Sequence, residues 1–370
     1  MPLLTAVAAL ALGPHQSVSH PRFDHLAASF AFFGCNRMDV KDWEETKQEN
    51  PSSANLAQLN RTFQDLANLR PIPNLVFGGG DLVMNYADDQ GETLRSQMMG
   101  WQKAFQSSPL EGKTIMVPFT GNHETNRKVG KQKLPNPATT AVWNRWFAQS
   151  GFRQMATNGP TVTNDKPDKL SADQSQMSYS FDFRQLHFVV LNTDTPTTVL
   201  DEKTGQPKVG WVPAKWAQQD IEAAQKNPKI KAIFVLGHRN LIDPTVCTGD
   251  SPIDKETGGM LVRTIQSNPK VRAYVCAHVH AWDLEPMGGV SRAWQVIAGN
   301  GGSVLEEDWK PKEGTYFGFV VINVYQSGKV VLRNFRRPTP PEPQRYFEDA
   351  PIKPPPARPV DTVLFDPAKK

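Results

Sequence analysis

Histidines, a carboxylate and an amide follow four short apolar runs of this sequence, where they could bind a metal ion. The runs end in Gly80-Asp81, Gly121-Asn122-His123-Glu124, Gly237-His238 and His278-Val279-His280. One carboxylate, one amide oxygen and imidazoles are suitable ligands for zinc, manganese or iron. Each motif alone is weak, because GD is common in turns, GNHE also fits a capped helix start, and a single His238 fits an ordinary loop histidine. The ordered set, at matching positions, predicts a metal site.

The spacing of His278 and His280 within "VCAHVHAWD" (275–283) adds a geometric argument. Successive side chains of a strand point to opposite faces, so two histidines separated by one residue point the same way and could close on one ion. The alternative is packing or solvent contact on a half-exposed strand, where histidine also recurs at period two. The other candidate ligands favour metal binding.

The elements that would position these residues are apolar, β-rich runs that alternate with amphipathic segments. The runs are 28–37, 73–81, 114–124, 231–240, 271–280 and 292–302. Residues 53–69 and 211–227 have helical spacing. This alternation predicts βαβ units in largely parallel sheets covered on both faces. In such sheets the loops after the carboxyl ends of the strands gather at one edge, where ligands bind.

Several segments depart from this alternation. Residues 177–194 and 316–335 each contain two alternating strands joined by a short polar turn, which predicts antiparallel hairpins and therefore mixed sheets. Residues 126–176 form a polar excursion around one helix, interpreted as an insertion or lid, with a surface decoration as the alternative. The Pro-rich tail 338–370 predicts an extended segment or a linker. The main domain is therefore placed at 21–337.

Composition limits the class of partner. Of 370 residues, 39% are hydrophobic and 21% charged, values ordinary for a globular protein. The 41 Lys and Arg exceed the 37 Asp and Glu without forming a basic block, which favours a small anionic substrate and argues against a nucleic-acid surface. No run of apolar residues is long enough to predict a membrane span. No interface pattern defines the oligomeric state.

The N-terminal segment and the cysteines bear on location. Residues 1–20 begin with "MPLLTAVAALALG", which resembles the end of an export signal but lacks a basic n-region. A frayed apolar terminus is the alternative. We expect the protein to be exported, either to the periplasm or out of the cell. The alternative is a cytoplasmic protein. Cys35, Cys247 and Cys276 allow at most one intramolecular disulfide and do not decide the redox compartment.

The order GD, GNHE, GH and HxH resembles that of the calcineurin-like metallophosphoesterases, over residues 28–335. The resemblance implies a four-layer α/β-β/α sandwich of two mixed sheets flanked by helices, a dinuclear metal centre and hydrolysis of phosphate esters. Asp81 resembles the bridging carboxylate. Asn122, His238 and His278 resemble the other ligands of one metal, and His280 resembles a ligand of the second.

The resemblance also implies a mechanism with His123 as a catalytic residue. In the family, metal ions neutralise the phosphoryl oxygens and lower the pKa of a bound water, so that hydroxide attacks phosphorus in line. His123 resembles the histidine that contacts the phosphate and stabilises its charge or protonates the leaving alkoxide. Asn122 and Arg239 are candidate substrate contacts. We expect one or two divalent or trivalent transition metal ions, zinc, manganese or iron.

The first motif of the family, Asp-x-His, is replaced here by Cys35-Asn36-Arg37. Cys35 could ligate as a thiolate while Arg37 turns outward, or Arg37 could take the place of the second cation and grip a phosphate oxygen. In a third interpretation the protein is catalytically degenerate and binds a phosphorylated ligand without turnover. Asp39 could also supply the missing carboxylate, and Cys35 could be a small buried residue without a role in binding.

The sequence thus predicts a metal-dependent phosphoric ester hydrolase acting on a small phosphorylated substrate, a monoester or a diester. Met84 stands where the purple-acid-phosphatase branch has a metal-binding tyrosine, which argues against a tyrosinate-ligated ferric site. A metallo-β-lactamase would need a carboxylate at Trp282. Cys276 is interpreted as core packing, and Cys247 as a loop residue that could pair with either of the others.

Overall fold

The computed structural model describes residues 24–38, 56–156, 158–244, 252–303, 305, 314–337 and 358–369. Several sequence predictions therefore lie outside the described residues. They are the export signal in residues 1–20, the alternative ligand Asp39, the pairing of Cys247 and the tail between 338 and 357. Within the described residues the strands form two six-stranded sheets and one small hairpin.

The first sheet is mixed. Its strands are β1 (Leu26–Phe33), β2 (Leu75–Gly79), β3 (Ile115–Phe119), β12 (Gly318–Tyr325), β13 (Val330–Arg336) and β14 (Arg358–Phe365). Their order is β14-β13-β12-β1-β2-β3. β1, β2 and β3 run parallel, with Phe30 opposite Leu75, and the other pairs are antiparallel. The carboxyl ends of the parallel strands therefore lie at one edge.

The second sheet is also mixed. Its strands are β6 (Tyr179–Phe183), β7 (Leu186–Leu191), β8 (Ala232–Gly237), β9 (Val271–Cys276), β10 (Trp282–Gly288) and β11 (Ala293–Ala298). Their order is β10-β11-β9-β8-β7-β6. The four central strands are parallel, and β6 and β10 are antiparallel edges. A separate hairpin consists of β4 (Asn126–Val129) and β5 (Gln132–Pro135).

Helices flank the two sheets. They are α1 (Leu56–Asn68), α2 (Glu92–Gln106), α3 (Asn122–Thr125), α4 (Pro137–Gln149), α5 (Ala214–Lys226) and α6 (Lys255–Ser267). The short α3 lies in the connection after β3. Local sequence signals begin two of the helices. Asn136 accepts a hydrogen bond from Ala138 N before α4, and Asp254 accepts one from Glu256 N before α6. These side chains satisfy backbone donors that the first helical turn leaves unpaired.

The inner faces of the sheets meet in an aromatic core. Phe30 of β1 lies 5.1 Å from Phe188 of β7 and 4.8 Å from Phe234 of β8, measured between ring centroids. Phe77 of β2 lies 5.3 Å from Phe188. All four rings are buried, and their edge-on and tilted contacts are the favoured arrangements of aromatic pairs. The two sheets are therefore held face to face.

This architecture confirms the predicted fold class, two mixed sheets flanked by helices. The predicted hairpins are present as β6–β7 and β12–β13. The insertion 126–176 contains β4, β5 and α4, and its Trp143 and Phe147 are fully buried in the core. The end of the Pro-rich tail adds β14 to the first sheet. No helix among the described residues is long and apolar enough to cross a membrane.

Candidate metal centre

The loops after β2, β3, β8 and β9 bring the candidate ligands together between the two sheets. Asp81 follows β2, Asn122 begins α3 after β3, His238 follows β8 and His278 follows β9. All four residues are buried. β2 and β3 are parallel in the first sheet, and β8 and β9 are parallel in the second. The carboxyl ends of each pair therefore lie at the same edge of their sheet, as the sequence predicted.

Two glycines allow the first two loops to approach each other. A Cβ atom on Gly121 would lie 2.4 Å from Asp81 Oδ1. A Cβ on Gly80, whose φ is +76°, would lie 2.6 Å from both Gly121 N and His238 Nδ1. Side chains at these positions would collide with the ligands, so glycine is required by the close approach of the backbone.

Two groups of donor atoms share Asp81. Asp81, His238 and His278 form one group, and Cys35, Asp81 and His280 form the other, each with its donor atoms within 4.8 Å of one another. His238 Nδ1–H donates to Gly79 O at 2.9 Å, which leaves Nε2 facing Asp81 Oδ1 at 3.1 Å. A partner on one ring nitrogen orients the other toward a metal.

Electrostatics keep Asp81 and His278 in the states that bind metal, whereas for His238 burial would lower the pKa but Asp81 raises it above its ordinary value. Burial alone would raise the pKa of Asp81, but the neighbouring His123, His238 and Arg37 hold it well below its usual range. Burial, and then the charge of Arg239, lower the pKa of His278 well below its ordinary value. A carboxylate and a neutral imidazole are the forms that ligate.

Asn122 fits the first group through an unsatisfied oxygen. Its Oδ1 is buried with no hydrogen-bond partner among the described residues, while its Nδ2 contacts the hydroxyl of Tyr86. A buried amide oxygen without a partner is costly. A metal ion would satisfy it, and the residues present therefore fit the ion that this donor set predicts.

His123 faces the donors without belonging to either group. Its Nδ1–H donates to Met84 O at 2.5 Å, and its Nε2 lies 3.6 Å from Asp81 Oδ2. The ring of Tyr86 lies 4.0 Å from the ring of His123, between centroids. Burial lowers the pKa of His123 to about 3, although Asp81 opposes this shift. An anionic ligand beside the ring would raise this pKa, because it stabilises the imidazolium.

Sequence reasoning missed the role of Glu124. Its Oε2 accepts hydrogen bonds from Gly121 N at 2.7 Å and Asp81 N at 2.9 Å, and its Oε1 accepts one from Val83 N at 3.1 Å. The carboxylate thus ties the loops after β2 and β3 together. Burial, and then the charge of Asp81, raise the pKa of Glu124 to about 7. The GNHE motif was the available signal, since Glu124 lies three residues after the cap residue Gly121, in a capping box.

Arg239 contacts one of the candidate ligands, His278, and forms an ion pair with Asp194. Its Nε and Nη2 donate to the two oxygens of Asp194 at 2.8 and 2.9 Å, and its Nη1 lies 3.2 Å from His278 Nε2. Arg239 is 2% exposed. The ion pair holds the guanidinium against His278, and contact with substrate stays a prediction. Asp194, which the sequence did not single out, follows β7 just as the ligands follow their strands.

The interpretation of His278 and His280 as residues of a strand is wrong. β9 ends at Cys276, and both histidines lie in the bend before β10. His278 has φ +66°, a left-handed conformation that interrupts strand alternation. The two side chains nevertheless reach different donor groups that share Asp81. Cys276 is fully buried in the cluster beneath α5 and α6, as predicted for core packing.

Cys35 and Arg37 both point into the site. Arg37 Nε and Nη2 donate to Asp81 Oδ2 at 3.3 and 3.2 Å, so the arginine does not turn outward. Cys35 is fully buried, and its Sγ accepts a hydrogen bond from His278 N at 3.2 Å. The substituted first motif is therefore part of the centre.

Comparison with known proteins places these features in a family. A model of the calcineurin-like phosphoesterases matches residues 29–282. The structure is similar to that of a purple acid phosphatase from yellow lupin (Lupinus luteus) seeds, with a TM-score of 0.55 and 18% identity over 84% of this chain and 51% of that one. A dimetal phosphatase from Danio rerio gives a TM-score of 0.49 and 10% identity over 84% of this chain and 96% of that one. No curated protein matches the chain.

The similarity to the lupin enzyme is one of fold. This chain spans about half of the length of that protein. Met84 stands where the purple-acid-phosphatase branch has a metal-binding tyrosine, and the hydroxyl of Tyr86 contacts Asn122 Nδ2. The family match covers every strand-end motif from Cys35 to His280.

Proposed function

The chain belongs to the calcineurin-like phosphoesterase family, and we propose that it hydrolyses phosphate monoesters or diesters of small molecules at the centre around Asp81. Members of this family are metal-dependent and use a dimetal centre. The observation that carries the proposal is the buried donor group of Asp81, His238 and His278, together with the unsatisfied Oδ1 of Asn122 in the same centre.

Each residue of the centre has a task in this proposal. Asp81, Asn122, His238 and His278 hold a transition metal such as zinc, manganese or iron, and Asp81, His280 and Cys35 form the second donor group. A bound metal supplies Lewis-acid chemistry, neutralising phosphoryl charge and activating water. His123 holds its Nε2 toward the reacting group, while Met84 O fixes its Nδ1. The guanidinium of Arg239 adds positive charge beside the ligands.

His123 has two ways to assist the reaction. An anionic phosphate close to Nε2 favours the imidazolium, which can stabilise charge on the transferring group. The same proton can pass to the departing alkoxide as the ester bond breaks. Both tasks need only the nitrogen that faces Asp81.

An alternative function is binding of a phosphorylated ligand without turnover. The observation that favours it is the replacement of the first motif by Cys35 and Arg37, together with the ion pair between Arg37 and Asp81. A guanidinium binds phosphate well by paired hydrogen bonds. This alternative predicts bound metal and bound phosphate but no hydrolysis.

The deciding experiment measures metal content and hydrolysis in the same preparation. An aryl phosphate and an aryl phosphodiester serve as substrates, with activity followed before and after chelation and after return of zinc, manganese or iron. We expect turnover that chelation abolishes and metal restores. Metal and phosphate binding without turnover would support the alternative, and absence of bound metal would contradict both.

A matched pair of variants makes the experiment specific to Asp81. Asp81→Asn should lose metal and activity, because it removes the shared carboxylate. Asp88→Asn serves as the control, since Asp88 is an exposed aspartate that pairs with Arg127 at 2.8 Å and lies outside both donor groups. Equal metal content in the two variants would exclude Asp81 as a ligand.

A further inference from the structure

Arg37 occupies one side of the shared carboxylate. Asp81 Oδ1 faces the ligand His238, 3.1 Å from its Nε2, whereas Oδ2 accepts hydrogen bonds from Arg37 Nε and Nη2. The two oxygens therefore serve different partners, one an imidazole of the first donor group and the other a guanidinium. A second metal bound to Asp81 on the Oδ2 side would have to share that oxygen with Arg37.

The backbone holds Arg37 in this position. Arg37 N donates to Asp81 O at 2.8 Å, and Cys35 N donates to Gly80 O at 3.0 Å. Cys35 and Arg37 both have positive φ, 57° and 49°. Such conformations persist only where surrounding contacts fix them. The loop is therefore built to direct the guanidinium inward, against Asp81.

Charge opposes a second metal beside this guanidinium. Asp81 is the one anionic side chain of the first donor group, and Cys35 would be the one that the second group adds. An arginine side chain stays protonated in proteins, so it cannot yield its charge to make room for a dication. Like charges at close range in a buried site repel strongly. With a single dication on the Oδ1 side of Asp81, Arg37 keeps its contact with Oδ2 and faces one metal ion instead of two.

We propose that Arg37 is the second cation of the centre, so that each chain holds one metal ion on Asp81, Asn122, His238 and His278. The inference rests on the proposed function and specifies how it is carried out. Arg37 is a catalytic residue in it: its side chain is 19% exposed, and its Nη1 takes no part in the contact with Asp81, so it can donate to a phosphoryl oxygen.

Cys35 has a positioning role in this arrangement. Its Sγ accepts the hydrogen bond from His278 N, which helps to hold the loop that carries His278 and His280. The sulfur contact therefore contributes to the geometry of the single metal site.

Metal stoichiometry provides the first test. The protein is saturated with zinc or manganese, freed of loose metal by gel filtration and analysed for metal per chain. We expect one ion in the wild type and in Arg127→His, a control arginine that also pairs with an aspartate. The double variant Cys35→Asp/Arg37→His, which restores two ligand side chains, should approach two.

The outcomes are distinct. Two ions in the wild type would overturn the inference while leaving the proposed function intact. No ion in the wild type would overturn the proposed function itself. A double variant that is folded by near-ultraviolet circular dichroism but still holds one ion would also count against Arg37 as the reason for single occupancy.

Binding of inorganic phosphate provides a second test that does not depend on turnover. Calorimetric titration of the metal-loaded protein should give a Kd that rises by about tenfold or more in Arg37→Met, because a charge-assisted hydrogen bond is lost. Arg37→Lys should retain part of the affinity, and Arg127→Met should match the wild type. An unchanged Kd in folded Arg37→Met would overturn the role of Arg37 in phosphate binding.

Discussion

At the scale of single residues, substitution of His123 should lower catalytic activity without reducing the bound metal. It faces Asp81 Oδ2 from 3.6 Å, and neither donor group includes it. We expect His123→Asn to lower kcat on an aryl phosphate by about 10²- to 10⁴-fold, the usual contribution of a general acid or base, with metal content unchanged. Steady-state kinetics and metal analysis on one preparation check this.

A surface histidine supplies the control for His123. His25→Asn changes an exposed side chain that directly precedes β1 and lies outside both donor groups, and it should leave kcat unchanged. If His123→Asn lost its metal along with its activity, the histidine would be a ligand or a structural support, and its proposed place beside the substrate would be wrong.

Loss of the Glu124 side chain should lower both the stability of the protein and its affinity for metal. Glu124→Ala removes the acceptor of three backbone donors, at Gly121, Asp81 and Val83. Each buried donor left unsatisfied costs about 1–3 kcal/mol, so we expect the free energy of unfolding to fall by roughly 3 kcal/mol or more. Metal affinity should fall as well, because the loops carrying Asp81 and Asn122 lose their connection.

The conservative variant distinguishes this explanation from simple loss of charge. Glu124→Gln keeps one carbonyl oxygen for the backbone donors and should lose less stability than Glu124→Ala. Urea unfolding and a competitive zinc titration measure both quantities. Equal losses in the two variants would indicate that the charge of Glu124, and not its hydrogen bonds, supports the site.

The ligand candidates were predictable because their types and order repeat at strand ends. Asp81, His238 and His278 all come together as the parallel-sheet rule requires. The direction of Arg37 was not predictable, since it depends on a positive φ at Arg37 itself and at Cys35. The contact between Asp194 and Arg239 joins residues 45 positions apart, and no local pattern marks it.

At the scale of elements, a buried histidine joins the β6–β7 hairpin to α5. His187 Nδ1 lies 2.6 Å from Asp182 Oδ1, and its Nε2 lies 2.8 Å from Asp220 Oδ2. Asp220 Oδ1 also accepts a hydrogen bond from Ser180 Oγ at 2.9 Å. Burial alone would lower the pKa of His187, but the hydrogen bonds and charges of Asp220 and then Asp182 raise it above its ordinary value.

This shift predicts a pH-dependent contribution to stability. Because the folded-state pKa of His187 is raised, the contribution is fully present below the unfolded value of about 6.5 and is lost as pH rises through the folded-state pKa. The difference in unfolding free energy between wild type and His187→Gln should therefore shrink from pH 6 toward pH 9. Urea unfolding at several pH values measures this difference.

Variants of Asp220 and Asp182 test which of the two aspartates contributes more to the pH dependence caused by His187. Asp220→Asn should reduce the pH dependence more than Asp182→Asn, since Asp220 is 11% exposed and Asp182 is 53% exposed. His25→Gln, an exposed substitution, should follow the wild type at every pH. A difference that grows with pH would show that His187 is neutral in the folded protein.

Elements with clear periodicity were easier to predict than those defined by tertiary contacts. The β6–β7 and β12–β13 hairpins follow directly from alternating residues and polar turns. β14 lies in a Pro-rich segment, and its pairing with β13 gives it a regular conformation that the composition does not indicate. Strand alternation stops before His278, because this residue is left-handed and lies in a bend after the end of β9.

At the scale of the whole molecule, the two sheets are joined at more than their aromatic core. β14, at the edge of the first sheet, contacts strands of the second. Trp294 of β11 donates from Nε1 to Leu364 O at 3.0 Å, and the guanidinium of Arg272 in β9 lies 3.6 Å from the centre of the Phe365 ring. The C-terminal strand thus bridges both sheets.

Substitution of Leu364 tests how much β14 contributes to the free energy of unfolding. It is 5% exposed, whereas its neighbour Val363 is 43% exposed. We expect Leu364→Ala to lower the free energy of unfolding by about 2 kcal/mol, at the low end for a buried leucine because an edge strand can adjust to the cavity. Val363→Ala, the control, should change it by less than about 0.5 kcal/mol.

The way in which the molecule unfolds distinguishes a bridge from a simple edge strand. If β14 ties the sheets together, tryptophan fluorescence and far-ultraviolet circular dichroism should give coincident urea transitions in Leu364→Ala, both shifted to lower urea. If β14 is only an accessory strand, it should detach first, and fluorescence should change before circular dichroism. Separate transitions would therefore contradict the bridge, because the strand would then contribute its own stability and little to the contact between the sheets.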